Sequence, residues 1–182
     1  ACMLAARLPA LGLPEASISV NMSTSQLMDP DLSRVVQTLM RRHGAAAEQF
    51  RIEILESTLL SKRARSVSDN VTKLADLGIR MDLDDFGTGH TAISSLLNFP
   101  ISRVKIDRSL ITGIERDARK QAIAYAIVEM CKTLSIEVLA EGVESAAELD
   151  CLRSIGCQSA QGYQIAPPLP EAEIGAIARR SA

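Results

Sequence analysis

The sequence predicts an α/β fold built on parallel strands. Three observations carry this. Strand-like and helix-like stretches alternate along the chain, the helical stretches are long enough to cross between parallel strands, and no linker or shift of composition divides them. Two architectures satisfy these conditions, an open doubly wound sheet and a (βα)8 barrel. At 182 residues, one domain spanning 1–182 is expected.

Residues 2–10 read as the tail of a helix, stopped by Gly-Leu-Pro at 12–14. Residues 17–21 form a short β-rich run. Residues 29–44 read as a helix, with Pro30 in its first turn, basic residues at its end and Gly44 as its stop. Residues 50–56 are a strand and 62–78 a helix. Residues 79–85 are a strand, 91–99 a short helix ended by Pro100, and 103–108 a strand. The longest helix covers 117–134. A strand at 136–143, a helix at 145–156, a last strand at 159–165 and a closing helix at 170–180 complete the pattern. This is βα about six times over. No GxGxxG or P-loop follows any strand.

Composition excludes several classes. Apolar residues make up 47% of the chain, which rules out wholesale disorder. The net charge of −2 gives no basic field, and there is no Trp, so a DNA or RNA polymer is not expected as partner. No apolar run is long enough to span a bilayer. Four cysteines form no CxxC pair and only two His are present, which argues against zinc. Cys131 and Cys151 fall in apolar helical patterns and read as reduced, buried thiols. A cytoplasmic setting is expected, in a parent protein that could carry its own membrane anchor.

The polar residues gather at strand ends. Asn21 ends the first strand, and Glu53 and Glu56 lie in and at the end of the second. Asp84 and Asp85 end the third, Lys105 and Asp107 lie in the fourth, Glu141 and Glu144 end the fifth, and Gln161 lies in the sixth. In a parallel α/β fold these ends share one rim, where active sites are built. Clustered carboxylates in a partly dry site repel, and divalent cations resolve this. Oxygen donors of this kind suit Mg²⁺, Mn²⁺ or Ca²⁺. Adjacent Asp84 and Asp85 fit a two-metal layout for phosphoryl displacement, with Lys105 orienting the nucleophile or offsetting phosphate charge.

Each residue also has a plain structural reading. Asn21 could be a turn residue, Glu56 a local cap, and Lys105 and Asp107 a buried pair. Glu144 could begin a helix and Gln161 be a satisfied amide. Asp82 is expected to face a neighbouring helix as a structural charge. The joint placement at five strand ends favours a site.

Six ordered motifs then carry a family resemblance: SVNMS (19–23), EILES (53–57), DDFGTGH (84–90), VKIDRSLI (104–111), AEGVES (140–145) and GCQSAQGYQIAPPLP (156–170). Together they cover nearly the whole chain, which resembles most of an EAL domain, the bacterial cyclic di-GMP phosphodiesterase module. The resemblance implies a TIM-like (βα)8 barrel. It also implies metal-dependent hydrolysis of cyclic di-GMP to linear pGpG, with two divalent cations, Mg²⁺ or Mn²⁺, and Ca²⁺ substituting or inhibiting.

By position, Asn21, Glu53 and Asp84 would hold one ion. Asp84 and Asp85 would hold the second, with Glu141 in its water shell or acting as base. Lys105 would contact the attacking water. Gln161, with Glu144 and Asp107 at the rim, would seat the substrate. Glu56 would anchor the loop after Asp85, to which Gly87 and Gly89 lend freedom. Departures from the family pattern are Leu55 for Thr, His90 for Tyr and Pro167 for a basic residue.

The E-x-L motif that names the family sits, in that family, on a strand ahead of the helix at residues 2–10. The resemblance places it upstream of Ala1, so the chain is expected to be an N-terminally incomplete barrel, possessing six of eight βα units. Expected partners are cyclic di-GMP, a second copy pairing near Ser109–Glu115, and upstream sensory or GGDEF domains. The alternative function is a cyclic di-GMP receptor that binds without turnover.

Overall fold

In the computed structural model, residues 1–59, 64–88, 93–171 and 173–174 are described. Six strands form one sheet: β1 (Ile18–Asn21), β2 (Phe50–Leu55), β3 (Arg80–Phe86), β4 (Ile101–Ile106), β5 (Glu137–Ala140) and β6 (Ser159–Ala160). They pair in sequence order, every pair parallel. The helices are α1 (Cys2–Ala5), α2 (Thr24–Leu27), α3 (Leu32–His43), α4 (Glu56–Leu59), α5 (Ala64–Asp76), α6 (Ile93–Asn98), α7 (Arg108–Ile111), α8 (Ala118–Thr133) and α9 (Ala146–Ser154).

The unbroken strand order decides between the two architectures. A doubly wound sheet reverses its order at a switch point; this one never does. Contacts across the sheet show that it curls. Arg51 of β2 reaches Glu137 of β5 at 2.8 Å. In a flat sheet those strands would lie roughly 14 Å apart, three spacings of about 4.8 Å. The sheet is therefore a curled part-barrel, with helices outside and a polar interior.

Strand parity sorts the side chains between the two faces. Ile52, Ile54, Met81, Leu83, Val104 and Ile106 are almost wholly buried in the apolar core. Val67, Val71 and Leu74 of α5 and Ala124, Ile127, Val128 and Cys131 of α8 belong to the same core. Burying one such aliphatic side chain stabilises by roughly 1.5–3 kcal/mol. Burial also pushes the Cys131 thiol up to about 11, as its place in an apolar helical pattern led one to expect. Among the described residues no helix is long and apolar enough to cross a membrane.

The interior face carries two polar layers. The lower one holds Arg51, Asp82, Arg103 and Glu137. Asp82 thus corrects the expectation that it faces a helix. It stands two residues from Asp84, so the same parity turns both inward, and Asp82 accepts from Arg51 at 2.8 Å.

Local chemistry sets the element ends. Asp117 caps α8 by accepting from the N–H groups of Arg119 and Lys120. Ser145 and Glu148 form a capping box on α9. The strand expected over 159–165 shortens to Ser159–Ala160. Beyond it the backbone turns over Val143, where Val143 N donates to Gln161 O and Gln164 N donates to Val143 O. That approach is so close that a Cβ on Gly162 would lie 2.2 Å from Val143 O. The closing helix expected over 170–180 lies largely outside the described residues, as do Gly89 and His90.

Candidate active site

Three strands and the residue just past a fourth deliver one polar side chain each to a common point. The Lys105 ammonium of β4 lies 3.0 Å from Glu53 Oε1, 3.0 Å from Asp84 Oδ1 and 2.8 Å from Glu141 Oε1. Lys105 is 4% exposed and Asp84 9%, so the cluster is largely dry. Glu141 follows β5 and extends its ladder, with its N–H donating to Ile106 O.

Asp85 reaches this point by a backbone irregularity. Neighbouring residues of a regular strand point to opposite faces. Here Leu83 pairs with Val104 and Phe86 with Ile106, so β3 takes three steps, 83 to 86, while β4 takes two, 104 to 106. The extra residue is absorbed in a bulge, where Asp85 adopts a left-handed φ of 57°. Carboxylate oxygens of Asp84, Asp85 and Glu141 consequently lie within 4.8 Å of one another.

The electrostatics follow from this crowding. Burial pushes Asp85 up, and the charges of Asp84 and Asp107 push it further. Burial likewise raises Glu141 above the usual carboxylate range, although Lys105 opposes the shift. For Lys105 burial works against the charge, but hydrogen bonds to Glu141, Glu53 and Asp84 outweigh it and hold the ammonium protonated well above its ordinary range. An oxygen-only donor set, strained by like charge, fits a hard divalent cation. Asp84, Asp85 and Glu141 could hold one. Glu53 and Asp84 could hold another, with Asn21 beside Glu53 in the β1–β2 register.

A cavity of about 560 Å³ opens next to the carboxylates, lined by Asp85, Asp107, Glu141, Glu144 and Gln161 among others. Asp107 is not the partner of Lys105. It caps α7 by accepting from Ser109 N at 2.9 Å, and these bonds lower its pKa despite the burial that opposes them. Glu144 does not begin the following helix; Ser145 caps it. Glu56 is buried at the start of α4. Of the loop it was expected to anchor, residues 89–92 lie outside the described residues.

Three features were not anticipated. Arg108 and Tyr163 line the cavity. Glu148, buried, accepts from the N–H groups of Glu144 and Ser145 and from Gly113 N at 2.9 Å, tying the β5–α9 loop to the turn after α7. The Ser-x-x-Glu spacing of a capping box was a readable signal for the first half of this, but nothing local points to Gly113. Gly142, at φ 67°, lies so near Arg108 that a Cβ would meet Arg108 Cβ at 2.6 Å.

Known proteins share this architecture. An uncharacterized signaling protein of Caulobacter vibrioides is 39% identical over 153 residues, 84% of this chain and 19% of that protein. The bifunctional diguanylate cyclase/cyclic di-GMP phosphodiesterase MucR of Pseudomonas aeruginosa is 32% identical over 163 residues, 90% of this chain and 24% of MucR. A solved MucR phosphodiesterase in complex with c-di-GMP superposes with a TM-score of 0.88 at 32% identity, covering 96% of this chain and 70% of that one. Klebsiella pneumoniae BlrP1, solved with calcium and c-di-GMP, superposes with a TM-score of 0.83 at 29% identity, covering 93% of this chain and 42% of BlrP1. The chain spans about a fifth of the length of the Caulobacter protein and of signaling protein YkoW of Bacillus subtilis. The profile of the EAL domain matches residues 1–168, from α1 through all six strands and the wall of the cavity, and the chain belongs to that family.

Proposed function

We propose that this chain carries the phosphodiesterase site of a longer bacterial protein and hydrolyses cyclic di-GMP to linear pGpG with two divalent cations, Mg²⁺ or Mn²⁺. The observation that carries the reading is the convergence of Glu53, Asp84 and Glu141 on Lys105, with Asp85 turned in beside them at the mouth of a cavity. Bound there, the two ions would offset phosphate charge and make hydroxide available at neutral pH.

The chain's own residues do the rest. Asn21, Glu53 and Asp84 would hold one ion; Asp84 and Asp85 would hold the other, with Glu141 beside its water shell. Lys105 orients the attacking water, and Glu141, whose carboxyl is raised by burial, accepts a proton from it. Gln161, Glu144 and Asp107 seat the nucleotide along the cavity wall. Glu56 anchors the loop that follows β3. Residues 1–182 act as one domain, joined in the whole protein to sensory or GGDEF domains, and two copies pair near Ser109–Glu115.

Incubation of the intact protein with cyclic di-GMP and Mg²⁺ or Mn²⁺, with products resolved by anion-exchange chromatography, tests the reading. Metal-dependent pGpG is the expected result. Tight cyclic di-GMP binding with no pGpG under either metal would assign the receptor role instead.

A further inference from the structure

All three N–H donors of Lys105 are spoken for. An ammonium has three, and Glu53, Asp84 and Glu141 take one each at 2.8–3.0 Å. A single lysine thus lies between three carboxylates that would otherwise repel.

The same carboxylates are the ones a divalent ion would use. Magnesium binds oxygen at about 2.0–2.1 Å. With Nζ 3.0 Å from Asp84 Oδ1, an ion on that oxygen would lie no farther than about 5 Å from the ammonium, however the angle falls. Lys105 is 4% exposed, so water does little to screen the two positive charges from each other. One cation must give ground to the other.

Resting on the reading that this site takes divalent cations, we propose that Lys105 is the site's resident counter-cation. It holds Glu53, Asp84 and Glu141 in place in the metal-free protein and exchanges with a divalent ion for them. Exchange frees its N–H donors, so metal loading arms Lys105 for contact with water or phosphate. Asp85 lies outside the lysine's three partners and stands beside Asp84 and Glu141, where it adds a carboxylate that Lys105 does not occupy.

The test is Mn²⁺ affinity, measured on the intact protein by the electron paramagnetic resonance signal of free Mn²⁺, for wild type, Lys105→Met, Lys105→Gln and Lys105→Arg. Both neutral variants are expected to bind Mn²⁺ at least about tenfold more tightly than wild type, since a buried like charge is removed. Lys105→Arg, which keeps the charge, gains nothing. In chelator, Lys105→Met melts below wild type and recovers more on adding Mn²⁺. A Lys105→Met protein that folds only with Mn²⁺ supports the proposal equally; if it folds under neither condition, Lys105→Gln decides. Neutral variants that bind Mn²⁺ no more tightly than a binding-competent wild type overturn this proposal alone. A wild type that binds no Mn²⁺ overturns the metal-dependent reading and this proposal with it.

Discussion

Arg51 donates to Asp82 at 2.8 Å inside the curled sheet, directly beneath the carboxylates of the candidate site. Both side chains are almost completely buried, at 2% and 0% exposure. Arg51 also bonds Glu137, which Arg103 holds from the other side. This layer links β2, β3, β4 and β5 below the layer that Lys105 links above.

Breaking the lower layer should unfold the protein before it alters chemistry. Asp82→Ala takes away one of the two carboxylates on the buried Arg51 guanidinium, leaving Glu137, and is expected to cost about 1–3 kcal/mol. Denaturant unfolding of the intact protein measures it as a lowered midpoint with unchanged slope. A loss under about 1 kcal/mol would show that the pair adds nothing beyond packing.

Glu148 ties a rim loop to a distant turn, and its test is pH-dependent. Burial would raise its pKa, but hydrogen bonds from the N–H groups of Gly113, Glu144 and Ser145 outweigh that and lower it. A depressed folded-state pKa means the stabilisation is complete above the unfolded value of about 4.3 and is lost as pH falls through the folded value. Glu148→Gln should therefore destabilise by roughly 1–3 kcal/mol at pH 7. The gap to wild type should narrow as pH drops below about 4. A gap that stays constant down to acid unfolding would contradict the charge-based account of this contact.

The left-handed backbone of Asp85 separates strain from charge. A residue with a Cβ is strained at φ 57°, by roughly 1–2 kcal/mol, whereas Gly is not. Asp85→Gly should thus be more stable than Asp85→Ala by about 1 kcal/mol in thermal unfolding. Neither keeps the carboxylate, so both should lose most metal-dependent turnover. Equal stabilities would mean that the bulge relaxes in the variants.

Gly162 is the close approach that shapes the cavity wall. A Cβ there would sit 2.2 Å from Val143 O and 2.4 Å from Val143 N, both backbone. Gly162→Ala must push the segment carrying Gln161 and Tyr163 off Val143. Weaker cyclic di-GMP binding by isothermal titration, with far-ultraviolet circular dichroism unchanged, is the expected outcome. Wild-type affinity would show that this wall does not touch the nucleotide.

Much of this was legible before any coordinates. The alternation of elements foretold six parallel strands, and one polar residue per strand end foretold that Glu53, Asp84, Lys105 and Glu141 would share a rim. What stayed hidden depends on contacts far apart in sequence. Asp82 looked like a helix-facing charge because its partners lie on two other strands, 31 residues away for Arg51. The turn of Asp85 into the site depends on a mismatch between β3 and β4 that neither strand shows alone. The last strand shortened because Gly162 lets the backbone press on Val143, which only the fold brings there. Asp107 two residues after Lys105 suggested a pair, but the strand ends at Ile106 and Asp107 turns to cap α7.

The most direct test of the site is conversion of cyclic di-GMP by the intact protein in Mn²⁺, compared with the same protein in chelator and with Asp84→Asn. Asp84 touches Lys105 and shares an oxygen cluster with Asp85 and Glu141. The expected result is linear pGpG from wild type in Mn²⁺ and a loss of at least about a hundredfold, roughly 2.7 kcal/mol of barrier, in the other two arms. Undiminished pGpG from Asp84→Asn, or in chelator, would contradict a metal site centred on these carboxylates.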